Sequence, residues 1–186
     1  MSPLATSFSR ARRLAPLLWL LALQAASARV YLGVDEAVKL AFAEARVERH
    51  TIYLTKAEME RARELAAVEI QSALATAYEA RREGVLVGTA YFDTHTVRTL
   101  KETIMVVVDA AGAVRRVEVL SFDEPPEYRP RPAWYAQFAG HALDGDLAVK
   151  RGIPAVTGAT LTARATTDAV RRVLAIHRVL DERVKP

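Results

Sequence analysis

The sequence predicts an α+β fold, a mainly antiparallel sheet of hairpins packed by helices. Three observations predict it. Two pairs of short β-branched stretches are each broken by a turn signal, amphipathic helical patterns precede and follow them, and 51% of the 186 residues are apolar. That length and apolar content bound one ordinary domain with a core that needs no covalent staples. The chain contains no cysteine, which removes disulfides, thiolate zinc sites, iron–sulfur ligation and cysteine nucleophiles, so any redox chemistry has to be carried by a bound group.

The chain opens with an address. Residues 1–13 hold Arg10, Arg12 and Arg13 and no acid, and residues 14–23 are an apolar run ending near Ala26-Ser27-Ala28, a small-x-small cleavage pattern. The run is about half the roughly 20 residues that span a bilayer, so residues 1–28 read as a signal peptide cut before Arg29. The competing reading is a retained N-terminal anchor. Either way the domain is expected on the outer side of the cytoplasmic membrane, periplasmic or tethered to it. The three leader arginines carry most of the formal charge of +4. What remains is no nucleic-acid footprint.

The elements follow in order. Residues 29–72 read as an N-terminal helix-strand-helix segment. Ala37, Val38, Leu40, Ala41 and Ala45 share one helical face over residues 35–45. Residues 51–54 are β-branched and aromatic, and Thr55-Lys56-Ala57-Glu58 is a capping-box pattern that opens a second helix to about Ala67. Residues 73–186 form the main domain. Its first hairpin pairs the alternating stretch from Ala73 with residues 85–92 across Glu83-Gly84, and its second joins residues 103–109 to 114–122. The four prolines of residues 123–132 exclude regular structure. A short aromatic segment follows at residues 134–138. The last element is a helix over residues 162–180 with Ala169, Val170, Val173, Leu174, Ile176 and Val179 in one stripe.

Residues 156–162 lie between an irregular segment and this final helix, where first-turn N–H groups have no intrahelical partner and face an anion. Gly158 and Ala159 allow a phosphate to approach the backbone, and Thr157, Thr160 and Thr162 offer hydroxyls. On physical grounds alone the stretch is either a phosphate seat or a threonine-rich cap. It also resembles the [Ser/Thr]-Gly-Ala-Thr-x-[Thr/Ser] signature of the FMN-binding domain family, in Thr157-Gly158-Ala159-Thr160-Leu161-Thr162. That family includes subunits of the Rnf and sodium-pumping NADH:quinone reductase complexes and small exported flavoproteins. The resemblance spans roughly residues 73–180. It implies FMN as cofactor, linked by a flavin transferase through its phosphate to Thr160, with Thr157, Gly158, Ala159, Leu161 and Thr162 around it. It also implies that residues 100–104, with Glu102 and Thr103, lie beside the flavin. Pro154 stands where the family carries an aspartate, so covalent and non-covalent seats both stay open. His95, within the polar and aromatic run 91–99, is a further candidate; with Arg98 and the threonines it offers donors to a flavin ring or phosphate, or forms a hydrogen-bonded strand end.

His50, His95, His141 and His177 show no metal-ligand spacing, and no metal or catalytic residue is assigned. Asp123, Glu124 and Glu127 on the proline-rich loop read as solvated, as a docking surface or as an acid/base pair. Three functions remain: an electron-transfer flavoprotein working with a membrane or periplasmic redox partner protein, an FMN-dependent small-molecule reductase, and a flavin-free module binding a partner through residues 125–138.

Overall fold

The computed structural model describes residues 29–184; the stretch read as a signal peptide, residues 1–28, lies outside the described residues. Six strands form one antiparallel sheet in the order β1-β6-β5-β4-β3-β2. They are β1 (Arg29–Val30), β2 (Arg46–Tyr53), β3 (Leu74–Arg82), β4 (Val85–Thr96), β5 (Lys101–Val108) and β6 (Val114–Phe122). From β2 to β6 the sheet is a meander in which sequential strands are neighbours, and the two residues of β1 return to pair with Phe122 and Ser121. The helices are α1 (Val34–Ala41), α2 (Lys56–Ala66), α3 (Pro132–Ala136) and α4 (Thr160–Val184). The α+β reading of a hairpin-built antiparallel sheet packed by helices therefore holds.

Both faces of the sheet are covered, which is why β5 is apolar without alternation from Ile104 to Val108. Its Ile104, Val106 and Val108 face one side with Tyr91, Val117 and Val119, against Tyr135 and Phe138 around α3 and against Ala169, Val170, Val173 and Leu174 of α4. Met105 and Val107 face the other side, with Ala90 and Leu120, beneath Ala37, Val38 and Ala41 of α1 and Phe42 just past it. Helix α2 lies against α4 through Ala62, Ala66, Ala175 and Val179. At Gly88 an added Cβ would meet the Val108 carbonyl oxygen at 2.8 Å, so the strand needs glycine there to approach β5.

Several elements differ in extent from their sequence patterns. Helix α1 stops at Ala41 instead of running to residue 45, because Phe42 leaves helical geometry and Glu44 turns the chain at φ 66°. Strand β2 is twice as long as its β-branched stretch; its charged first half pairs with β3 from Arg46↔Arg81 onward, and backbone pairing at a solvent-facing edge needs no apolar pattern. Strand β4 continues through the polar run to Thr96. The proline-rich loop holds one short 3₁₀ turn, Pro126–Tyr128. Helix α4 begins at Thr160, two residues before its apolar stripe suggests, so Thr160, Leu161 and Thr162 form its first turn.

Candidate functional site

The chain enters α4 through Gly158, whose φ of 82° is left-handed, with nothing within 4 Å of where a Cβ would sit. That open space lets a ligand approach the backbone. The N–H of Ala159 donates to the Val156 carbonyl at 3.1 Å, and the Ala159 carbonyl accepts from Ala163 at 2.9 Å. Ala159 therefore stands at the cap position, where serine, threonine or aspartate would supply a side-chain acceptor and alanine supplies none. The N–H groups of Thr160, Leu161 and Thr162 have no acceptor within the helix and lie at the positive end of its 25 residues.

Around this turn lies a cleft of ≈ 320 Å³, lined by Gly158 to Thr162 on one side and by Arg98 and Tyr128 on the other. Its walls are tied together. The Thr162 hydroxyl donates to the Tyr128 carbonyl at 2.6 Å, and the Thr160 hydroxyl donates to the Val156 carbonyl at 3.2 Å. The Arg98 guanidinium lies 4.4 Å from the centre of the Tyr128 ring, a cation–π contact. The main chain of Arg98 is held from below, because Glu124 Oε1 accepts from the N–H groups of Arg98, Thr99 and Leu100 at 3.1, 2.7 and 2.9 Å. Burial opposes the charge of Glu124, yet these three donors hold its carboxyl below the usual range. The proline-rich loop thus places Glu124 inside the protein, not in solvent.

His95 and Glu102 sit elsewhere. They are cross-strand partners on β4 and β5, and they meet beneath α4 in a buried network. His95 Nε2 lies 3.0 Å from Glu102 Oε2, and His95 Nδ1 lies 2.9 Å from Asp93 Oδ1. Tyr135 and Thr166 donate their hydroxyls to Glu102 at 3.0 and 2.8 Å, and Arg172 grips Asp93 with two nitrogens at 3.0 and 2.9 Å. Burial would lower the His95 pKa, but hydrogen bonds to Asp93 and Glu102 outweigh it and hold the imidazole above its ordinary value. Burial would raise Asp93, but His95 and Arg172 keep it below.

Of the sequence candidates, Gly158, Ala159, Thr160, Leu161 and Thr162 come together at the cleft, and Thr157 just precedes it. His95 and Glu102 come together with each other, next to Thr166, about 1.7 turns or 9 Å along α4 from Thr160. Thr103 lies in neither group; its hydroxyl is 2.9 Å from that of Thr94. Sequence reasoning missed Tyr128 and the buried Glu124. The one available signal was an acid just before a proline-rich turn, and that does not distinguish a buried carboxylate from a solvated one.

A larger cleft of ≈ 1020 Å³ opens on the α1 face, beside Val38, Leu40, Phe42, Val47 and Tyr78. Its lining sets the carboxylates Asp35, Glu36 and Glu44 beside Lys39 and Arg49, whereas the described lining of the smaller cleft carries no acid and combines a helix N-terminus, a glycine that admits close approach, threonine hydroxyls and a guanidinium. Those are the features of a protein that holds a phosphorylated cofactor. Residues 100–175 match the family described as FMN-binding domain, and FMN is the cofactor that this match supports. No curated protein matches the chain. The matched stretch runs from the start of β5 through most of α4. It contains Tyr128 and the whole 157–162 turn, and the donor set found there suits a phosphate monoester.

Proposed function

We propose that this protein is an exported flavoprotein that carries FMN at the N-terminus of α4, joined to Thr160 through a phosphoester, and transfers electrons in a membrane-associated or periplasmic redox chain. The observation that carries the reading is the position of Thr160: it opens the first turn of α4 and lines the cleft opposite Arg98. Bound there, FMN supplies one- and two-electron redox chemistry, and the protein supplies position and electrostatics. The backbone donors of residues 160–162 would hold the phosphate oxygens, and the positive helix end would stabilise the charge that a phosphodiester-like linkage keeps. Leu161, 49% exposed beside the seat, offers apolar surface at the cleft mouth.

An electron carrier is favoured over a substrate-turning reductase by what lines the cleft. Its seven residues include no carboxylate or histidine, so no acid/base pair stands over a bound substrate. The signal-peptide pattern of residues 1–28 supports export, and a flavin transferase and a redox partner protein are the partners this reading requires.

The test is an intact-mass spectrum of protein co-expressed with a flavin transferase, alongside Thr160→Ala, with each sample also checked for yellow colour after denaturation and for compartment by fractionation. The expected result is a gain of one FMN less one water in the wild type, retained on denaturation and absent from the variant, in the periplasmic or membrane fraction with the leader removed. Flavin released by denaturation would replace the covalent linkage with a non-covalent seat. Colourless protein from every preparation would overturn the reading.

A further inference from the structure

We propose that Arg98, held over Tyr128 by the turn that Glu124 gathers, is the residue by which this cleft selects a phosphorylated flavin over uncharged riboflavin; the proposal rests on the seat described above. Three features of the structure carry it.

Among the described residues Arg98 is the one cationic side chain lining the cleft, which it shares with the first turn of α4. An anion placed between them would meet backbone donors on one side and a guanidinium on the other. Guanidinium suits this task because its planar fork can give two parallel hydrogen bonds to phosphate oxygens while its face rests on an aromatic ring.

Among the described residues no carboxylate comes within ion-pair distance of the Arg98 guanidinium. Arg172 and Arg183, by contrast, are each committed to an acid. The side chain of Arg98 is exposed and lies over the Tyr128 ring; the Glu124 carboxylate feels its charge but does not pair with it.

The backbone beneath Arg98 is fixed at unusual cost. Glu124, 6% exposed, spends one oxygen on three successive N–H groups, those of Arg98, Thr99 and Leu100, and the turn is closed by Val97 N–H donating to the Leu100 carbonyl at 3.0 Å. Burying a carboxylate is unfavourable unless its hydrogen bonds are made, and here they set the direction in which residue 98 projects. The opposite wall is fixed through the Thr162 to Tyr128 hydrogen bond. Arg98 is thus a binding residue, and Glu124 is a positioning residue that acts through it.

The experiment is a fluorescence titration of FMN and of riboflavin into full-length protein made without a flavin transferase, for wild type, Arg98→Ala, Arg98→Lys, Glu124→Gln and the Arg98→Ala/Glu124→Gln double variant. Thermal melts of each confirm folding. The wild type is expected to prefer FMN, and Arg98→Ala to lose about ten- to a hundredfold in FMN affinity, the range of one hydrogen bond to a charged group, with riboflavin affinity unchanged. Lysine keeps the charge without the fork and should restore part of the preference. Added salt should erode the wild-type preference more steeply than that of Arg98→Ala, which keeps only the helix end. If Glu124 works through Arg98, the double variant shows the same FMN-to-riboflavin ratio as Arg98→Ala, whereas a merely structural role adds a further loss.

Equal affinities for the two flavins in the wild type, or an Arg98→Ala variant that keeps the full preference, would overturn the proposal and leave the seat standing. A wild type that binds neither flavin and gains no FMN mass with the transferase would overturn the seat, and the proposal with it.

Discussion

Glu102 has no solvent exposure, and its neighbours determine whether that is tolerable. Two hydroxyls and an imidazole satisfy its oxygens, while Asp93 on the far side of the imidazole is balanced by Arg172. With His95 protonated the four charges cancel, so the network is complete only while His95 keeps its proton. The His95 pKa is raised in the folded state from 6.5, so its contribution is full below that value and is lost as pH rises through the folded pKa. Asp93 is lowered from 3.8, so its contribution is full above that value and is lost as pH falls through its folded pKa. The network is therefore most stabilising between those two ordinary values. Urea denaturation across pH 5–9 should show wild-type stability falling on the alkaline side. His95→Gln should be destabilised by about 3 kcal/mol at pH 6, the cost of removing one partner from a buried pair, and should lack that alkaline slope; a variant keeping the slope would assign it to another group. The same residues show what was legible. The 157–162 motif is contiguous and could be read directly. The network is not, because Tyr135 and Thr166 lie 33 and 64 residues from Glu102 in the chain, and no local pattern says which helix covers β5.

At the scale of elements, legibility followed local chemistry. The capping box at Thr55 was readable from four residues and is present in full: Thr55 N–H donates to Glu58 Oε2 at 2.7 Å, and Glu58 N–H donates to Thr55 Oγ1 at 3.3 Å. The C-terminal end of α1 and the first half of β2 were not readable, since one depends on Phe42 turning into the core and the other on pairing along an edge. The capping box also does a second job, because Glu58 receives two nitrogens of Arg183 from the last turn of α4, both at 2.8 Å. Removing the Thr55 hydroxyl should therefore loosen the start of α2 and the carboxylate that α4 uses. Thr55→Ala is expected to cost about 1 kcal/mol, read as a lower urea midpoint with an unchanged slope, and to raise amide exchange in the first turn of α2. A loss confined to the global midpoint, with first-turn exchange unaltered, would show that the cap does not hold that helix end.

For the whole molecule, α4 is the common axis. Its 25 residues span about 37 Å: the cleft is at its N-terminus, the buried network reaches Thr166 and Arg172, and α2 packs along its C-terminal half. Its two ends therefore serve different purposes and should respond separately. Arg183 is partly exposed where it meets Glu58, and such a pair contributes about 0.5 kcal/mol. Arg98 is at the opposite end, more than 20 Å away by helix length alone, with no shared partner. Arg183→Ala should thus lower stability slightly and leave both FMN affinity and the preference over riboflavin at wild-type values, while Arg98→Ala changes the preference and barely touches stability. In the double variant the two stability changes should add within about 0.5 kcal/mol. Their sum, measured by urea denaturation, tests whether the helix is a rigid strut or a coupled element. If Arg183→Ala weakened FMN binding, a strain at the far end would be reaching the seat through the length of α4, and the buried network at its middle would be the place to look for the coupling.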